Sequence, residues 1–367
     1  MAIYFITFAV SILFAYLSYK SKSRFNKFLF GILAILVPSF LAGFRSKGVG
    51  TDTIYYIDGT FNLAKASISL SNMLKVCNVE FLYSVVNYIV SRYTTNINVL
   101  YFVLQWIICS ITYIACCRLN KVCPSWLSYA AFLLLFFNKS LNMCRQSIAL
   151  AFTLLSFSYA IDKKVIKYLI FTLCAIGFHR TAIIFLPMYL LVKYAQTNGK
   201  FLFKFFTYLL FIIIVIFYKE IISMITVDLK LISNRYMYYT IDTQNNVLML
   251  ELVGKLIAIT LILLFSNRLK NQNKFNHILI FIMILDLLLY CVGFYANYAQ
   301  RLSYYLGYLI IFLLPQLINV FKRNGNYGIV LIVFFVCIAG YSYLYYAHMQ
   351  YDQTVPYKSI ILNIGGN

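Results

Sequence analysis

Asn142, Arg145, Gln146 and Ala149 stand at i, i+3, i+4 and i+7 within the stretch NKSLNMCRQSIALAFT, residues 138–153. A helix running from Leu141 onward would carry all four on one face. The stretch is otherwise apolar, and a charge at membrane depth costs several kcal/mol, so such a face should turn into the bundle or a wet cavity. An arginine that merely snorkels to headgroups needs no aligned Asn and Gln. One helix later comes His179-Arg180. Histidine is the side chain that titrates near neutrality when unperturbed, which suits acid–base work. A third cluster, Arg45-Ser-Lys-Gly-Val-Gly-Thr-Asp52, joins glycines that free the backbone to a carboxylate able to act as base or hold a hydroxyl. In the fourth, Asn297, Arg301, Tyr304, Tyr305 and Tyr308 share a helical face. Guanidinium forks grip phosphate and flat rings pack on sugar faces, so this face suits a diphosphate–sugar ligand.

Other chemistries are poorly served. No strand precedes Gly48-Val-Gly50 and no Lys-Ser/Thr follows it, so neither a dinucleotide fingerprint nor a phosphate-binding P-loop is supported. Only ten acidic residues exist, with no Asp-Asp or Asp-x-Asp pair, and Asp286 alone lies deep within an apolar run. No metal ion and no cofactor is expected. Charge on a leaving diphosphate would fall to arginine. The nine cysteines are scattered without a C-x-x-C, which argues against a disulfide framework or a metal site.

The elements that must hold these residues are membrane helices. Of 367 residues, 62% are hydrophobic and 11% charged, with a mean hydropathy of +0.81, and apolar runs long enough to cross a bilayer recur. The expected fold is an all-α, polytopic membrane bundle forming a single domain over 1–367. Spans are expected at about 3–19, 28–44, 98–117, 124–138, 141–161, 165–178, 180–195, 201–218, 247–266, 276–295, 301–321 and 327–347. Pro38 should kink the second. The first segment has no basic n-region and no A-x-A-like cleavage site, and reads as a retained span. Two long outer loops are expected, at 45–79 and 219–246.

Segment 80–93 is too short and polar for a span, and the basic residues decide its placement. If it does not cross, Lys20/Lys22/Arg24/Lys27, Arg118/Lys121, Lys163/Lys164/Lys167, Lys193/Lys200/Lys204, Arg268/Lys270/Lys274 and Lys322/Arg323 all share one side. That side is cytoplasmic by the positive-inside rule. Segment 80–93 is then re-entrant or surface-lying, twelve spans remain, and both termini lie outside. The net charge of +21 is thereby explained by loops, with no nucleic-acid partner. Arg45–Asp52, Glu80, Asn142/Arg145/Gln146, His179/Arg180, Arg235, Arg301 and Tyr357/Lys358 all fall on the outer side. Arginines kept outside against the topological bias point to an anionic ligand.

These motifs resemble a known family. Arg-x-x-Gly-x-Gly-Thr-Asp-Thr from Arg45, Asn-x-x-Arg-Gln-x-x-Ala from Asn142, Phe-His-Arg-Thr-Ala from Phe178, Arg-Leu-x-Tyr-Tyr from Arg301 and the terminal Val355-Pro-Tyr-Lys-Ser359 are similar to the EpsG-type polysaccharide polymerases, relatives of the Wzy class that builds O-antigen and capsule. The resemblance implies a glycosyltransferase in the bacterial inner (plasma) membrane. Its substrate, as donor and acceptor, would be oligosaccharide repeat units on undecaprenyl diphosphate at the outer face, with membrane lipids around it and a chain-length regulator as an expected partner. Carried onto this sequence, Arg145 and Arg301 would grip the diphosphate, assisted by Arg45 or Arg180. His179 or Asp52 would activate or orient the acceptor hydroxyl, Asn142 and Gln146 would order the sugar or the arginine, and Tyr304 and Tyr305 would face the sugar.

Rival functions share parts of this pattern. A flippase would also need basic groups in a cavity, but inverted repeats and helices broken near mid-membrane are not visible. An acyltransferase could use an outward His with arginine. A ligase that transfers finished glycan would carry a larger outer domain than 219–246 offers.

Overall fold

The computed structural model describes residues 1–196, 201–223, 248–295, 298–322 and 325–365. Among these residues there is no strand, only an isolated bridge between Ser359 and Ile364. The chain opens with α1 (Ala2–Lys20) and α2 (Arg24–Phe44), then short α3 (Gly59–Ala66) and α4 (Leu70–Val76). Next come α5 (Phe81–Tyr93), α6 (Ile97–Arg118), α7 (Ser125–Asn142), α8 (Cys144–Ile161) and α9 (Val165–Phe178). After these follow α10 (Met188–Gln196), α11 (Phe201–Ile216), α12 (Tyr218–Ser223), α13 (Met249–Leu264), α14 (Ser266–Gln272) and α15 (Asn276–Tyr290). The last are α16 (Tyr304–Gly307), α17 (Leu317–Phe321) and α18 (Tyr327–Tyr343).

Six stretches among the described residues are long and apolar enough to cross a membrane: α1, α2, α6, Asn276–Phe294, Ala299–Phe321 and Tyr327–His348. Counting α13 and α14 as one span bent by 71° makes seven. The chain is therefore a multi-pass helical membrane protein. The described residues show fewer than the twelve crossings expected, because helices such as α9 (14 residues) and α11 (16 residues) are shorter than a straight crossing requires. Ile329, Ile332, Val333 and Val336 on α18 are all more than half exposed, as a lipid-facing row should be.

The structure corrects several expectations. Segment 45–79 is largely helical, with a π-helical turn at Thr53–Asp58 followed by α3 and α4. Helix α5, by contrast, keeps the expected bounds: it has 13 residues and so spans about 20 Å at the α-helical rise, short of a bilayer core. A helix continuous from Leu141 is not formed. Asn142 ends α7, Met143 turns at φ −88 and ψ 53, and Cys144 begins α8. Residues Ala299–Phe321 alternate 3₁₀ and α turns instead of making one regular helix. Most of the 219–246 loop, with Arg235, and Asn297 and Arg323 lie outside the described residues.

The chain divides into two compact units, Met1–Leu186 with Lys322–Asn367, and Pro187–Phe321. In the first, Pro38 sits inside α2, which runs on without interruption. Proline has no N–H, so the carbonyl of Ala34 one turn back loses its helical donor. Ser11 Oγ of α1 donates to that carbonyl at 2.6 Å and Tyr129 Oη of α7 at 3.3 Å. One missing hydrogen bond thus ties three helices together. Ser156 Oγ similarly donates to the carbonyl of Tyr168 at 2.9 Å, joining α8 to α9. Such interhelical bonds contribute about 0.6 kcal/mol each in bilayers, where apolar burial between helices gives little. At the end of α6, Arg118 pairs with Asp162 at 2.8 Å and lies 3.8 Å over the Tyr159 ring.

The second unit is organised by charge. Lys255 Nζ of α13 sits 2.5 and 2.8 Å from the two carboxylate oxygens of Asp286 on α15. Asp286, alone among acidic residues in its span, thereby has a cation from the neighbouring helix. Tyr304 Oη donates to Glu251 at 3.1 Å, fixing the start of α16 to α13.

Candidate functional site

Glu80, the N-cap residue of α5, is 7% exposed and receives three donors. Arg145 Nη1 donates to Oε2 at 2.8 Å, His179 Nδ1 to Oε1 at 3.1 Å, and the backbone N–H of Arg180 to Oε1 at 3.4 Å. Burial acts to raise this carboxyl, but the His179 hydrogen bond and the Arg145 charge overcome it and hold Glu80 at about 2. An ionised carboxylate can only accept. The proton of neutral His179 is therefore on Nδ1, and the lone pair is on Nε2.

The approach of α5 to α9 depends on Gly177, two residues before His179. A Cβ there would stand 2.7 Å from Leu82 Cδ1 and 2.8 Å from Leu82 Cγ. The missing side chain lets Leu82 seat against α9 and brings Glu80 under His179. Arg145 comes from the first turn of α8, and its guanidinium lies 5.2 Å from the Tyr56 ring and 5.8 Å from the Tyr83 ring. Aromatic faces hold a cation without neutralising it. Its side chain remains 20% exposed, and one arm of the fork is bound to Glu80, so other N–H groups are left for an anion.

Asn142 joins this cluster to the glycine-containing loop. Its Oδ1 accepts from Thr51 Oγ1 at 3.0 Å and from the Asp52 N–H at 2.8 Å. Its Nδ2 donates to Asp352 Oδ1 at 3.0 Å. The loop can lie against the end of α7 because Gly50 takes φ +90, and a Cβ there would meet the Leu141 carbonyl at 3.3 Å. Asp52 is half-buried and within electrostatic reach of Arg145.

Arg45 sits deeper, 1% exposed at the end of α2. Its guanidinium lies 4.5 Å over Tyr101, and Nη2 donates to Cys144 Sγ at 3.9 Å, while Nε and Nη1 have no hydrogen-bond partner. Tyr101 in turn donates to Asp58 at 2.6 Å, and Asp58 pairs with Lys47 at 3.0 Å.

The first unit thus carries Arg45, Asp52, Asn142, Arg145, Gln146, His179 and Arg180. Gln146 is 5% exposed on α8, and Arg180 is exposed beyond the Glu80 contact. Arg301, Tyr304 and Tyr305 belong to the second unit. There Arg301 lies 4.7 Å from the Tyr298 ring, the Tyr304 hydroxyl is committed to Glu251, and Tyr305 is 1% exposed. The broken turns of 299–321 replace the single tyrosine face expected from spacing. The sequence puts Glu80 on the outer side with no motif that joins it to the site, and Asp352 stands in no motif at all. The scarcity of carboxylates, ten in the chain, was the available signal for both.

No curated protein and no solved structure gives a match. The family model described as "EpsG family" matches residues 28–359. That range takes in the Gly-Thr-Asp loop, Glu80, the Asn142–Gln146 turn, His179-Arg180, Arg301 and the tail as far as Ser359, and so the chain belongs to the EpsG family, the polysaccharide polymerases that its motifs resemble.

Proposed function

We propose that this protein is a membrane glycosyltransferase that polymerises oligosaccharide repeat units carried on undecaprenyl diphosphate, at the outer face of the bacterial plasma membrane, without a metal ion. The observation that carries the reading is the Glu80 clamp, in which one buried carboxylate fixes both a guanidinium and the tautomer of a histidine. Family membership supports the polymerase class.

In the reaction, Nε2 of His179 takes the proton from the acceptor sugar's hydroxyl as its oxygen bonds to the donor's anomeric carbon. The bond from that carbon to the diphosphate oxygen breaks, and its electron pair leaves on the lipid diphosphate. Arg145 offsets the charge that builds there, with Arg180 two residues beyond Phe178 on the same unit. Asp52, held by Asn142 through its own backbone N–H, orients acceptor hydroxyls instead of acting as the base. Gln146 braces the first turn of α8 next to Arg145.

The test is chain elongation by purified protein in lipid, given a synthetic lipid-diphosphate repeat unit. Wild type should build a ladder, and His179→Ala and Arg145→Ala should leave the monomeric unit unextended. Movement of the unit across the bilayer without elongation would identify a flippase instead, and transfer of an acyl group without diphosphate release an acyltransferase.

A further inference from the structure

The last residues of the chain contribute a carboxylate to the site. Residues 350–359 are tied to elements far away in sequence. Gln353 O accepts from the Gly50 N–H at 3.0 Å, and Lys358 O accepts from the Ser46 N–H at 2.8 Å. Tyr4 Oη donates to Thr354 O at 2.7 Å, Asn138 Nδ2 to Thr354 Oγ1 at 3.1 Å, and Tyr357 Oη to Leu41 O at 2.8 Å. The strap therefore braces both ends of the 45–52 loop. Its start is costly in backbone terms: Gln350, Asp352 and Gln353 have φ of 53, 65 and 47, in the left-handed region that suits glycine. Such clustered strain persists where the surroundings fix it and is concentrated at functional sites. What it accomplishes here is to bring the half-buried Asp352 onto Asn142 Nδ2.

Asn142 then has a carboxylate-bearing residue on each side, Asp52 through its backbone N–H and Asp352 through its side chain. A buried cation with unmet donors accompanies them. Arg45 keeps Nε and Nη1 without partners, and it is close enough to Tyr357 of the strap to act on its phenol electrostatically. The Arg145 guanidinium is thus held at Glu80, while the Asp352 carboxylate is held at Asn142, which Asp52 meets through its backbone N–H. A carboxylate accepts hydrogen bonds from neighbouring hydroxyls and repels a phosphate.

We propose that Asp352 binds the acceptor, receiving hydroxyls of the incoming neutral sugar end beside Asp52, while the arginine side takes the lipid diphosphate; this inference rests on the glycosyl-transfer reading above. The strap is then a wall of the acceptor half-site as well as a tether.

The test separates a binding carboxylate from a strut. Asp352→Asn keeps an oxygen that can accept from Asn142 Nδ2 and removes only the charge, whereas Asp352→Ala removes both. Full-length protein in lipid is assayed with a synthetic lipid-diphosphate donor and a soluble oligosaccharide acceptor, and acceptor affinity is also titrated without donor. The expected result is a rise of about tenfold or more in acceptor KM and Kd for Asp352→Asn, the loss of a charge-assisted hydrogen bond, with donor KM and melting temperature unchanged. Wild-type acceptor KM and Kd in Asp352→Asn, with damage only in Asp352→Ala, would overturn the proposal and leave a strut. Failure of wild type itself to elongate would instead overturn the polymerase reading.

Discussion

Glu80 determines what Arg145 and His179 can do. Its carboxyl is held at about 2, below the ordinary glutamate value near 4.3. The sign of the linkage follows: the clamp contributes stability that is fully present above the unfolded value and is lost as pH falls through about 2. Glu80 therefore does not titrate between pH 5 and 8. Glu80→Gln removes the charge that both Arg145 and His179 contact, and should lower elongation throughout that range. An unchanged rate would remove the clamp from the mechanism. Arg145→Lys tests geometry separately. A lysine keeps the charge but lacks the planar fork that binds Glu80 and an anion together. Elongation should fall about 100-fold, near the effect of losing one transition-state donor, with protein abundance unchanged.

At the scale of elements, the site depends on two close approaches, α5 onto α9 and the glycine-containing loop onto the end of α7. Gly177→Ala would drive a Cβ into Leu82, whose Cγ stands 2.8 Å away, and push Glu80 from His179. Activity should drop, and Leu82→Ala in the same chain should restore part of it. No rescue would mean that Gly177 matters for another reason. Gly50→Ala should destabilise by about 1 kcal/mol or more, because an alanine at φ +90 is strained, and the loss should appear as a lower melting temperature. Element positions were largely legible in the sequence: α1, α2, α6, α7, α8 and α9 lie close to the expected apolar runs. The break between α7 and α8 was not, since neither glycine nor proline marks Asn142-Met143-Cys144 and the turn is held by tertiary bonds from Asn142. The helical content of 45–79 was hidden as well, because α3 and α4 are short and their apolar residues Ala64 and Met73 are buried by tertiary packing, Tyr88 of α5 included.

At the scale of the whole molecule, the site brings together residues from 45 to 180 and from 350 to 359, and no local pattern records that meeting. Asn142 and Arg145 stood out because polar side chains in apolar surroundings are expensive and therefore informative, His179 by its arginine neighbour between two spans, and Asp52 by its glycine-containing loop. Their partners were not: Glu80 lies 65 and 99 residues from the groups it binds, and Asp352 lies 210 from Asn142. Orientation is testable on the intact protein. Lys358 and Lys121 are both exposed, at opposite sides by the positive-inside argument. With exposed Cys337 replaced, Lys358→Cys should react with an impermeant maleimide in intact cells, and Lys121→Cys only after permeabilisation. The reverse pattern would put the site on the cytoplasmic side.

The central claim is that Arg145, clamped by Glu80 beside His179, performs chain growth. It is tested most directly by surface-polysaccharide length on a gel, from a strain lacking this protein and supplied with Arg145→Ala at normal abundance. The expected pattern is a collapse of the ladder to single repeat units, still exported and attached but not joined. An unchanged ladder would contradict the claim, and loss of every form, single units included, would move the defect to flipping or ligation.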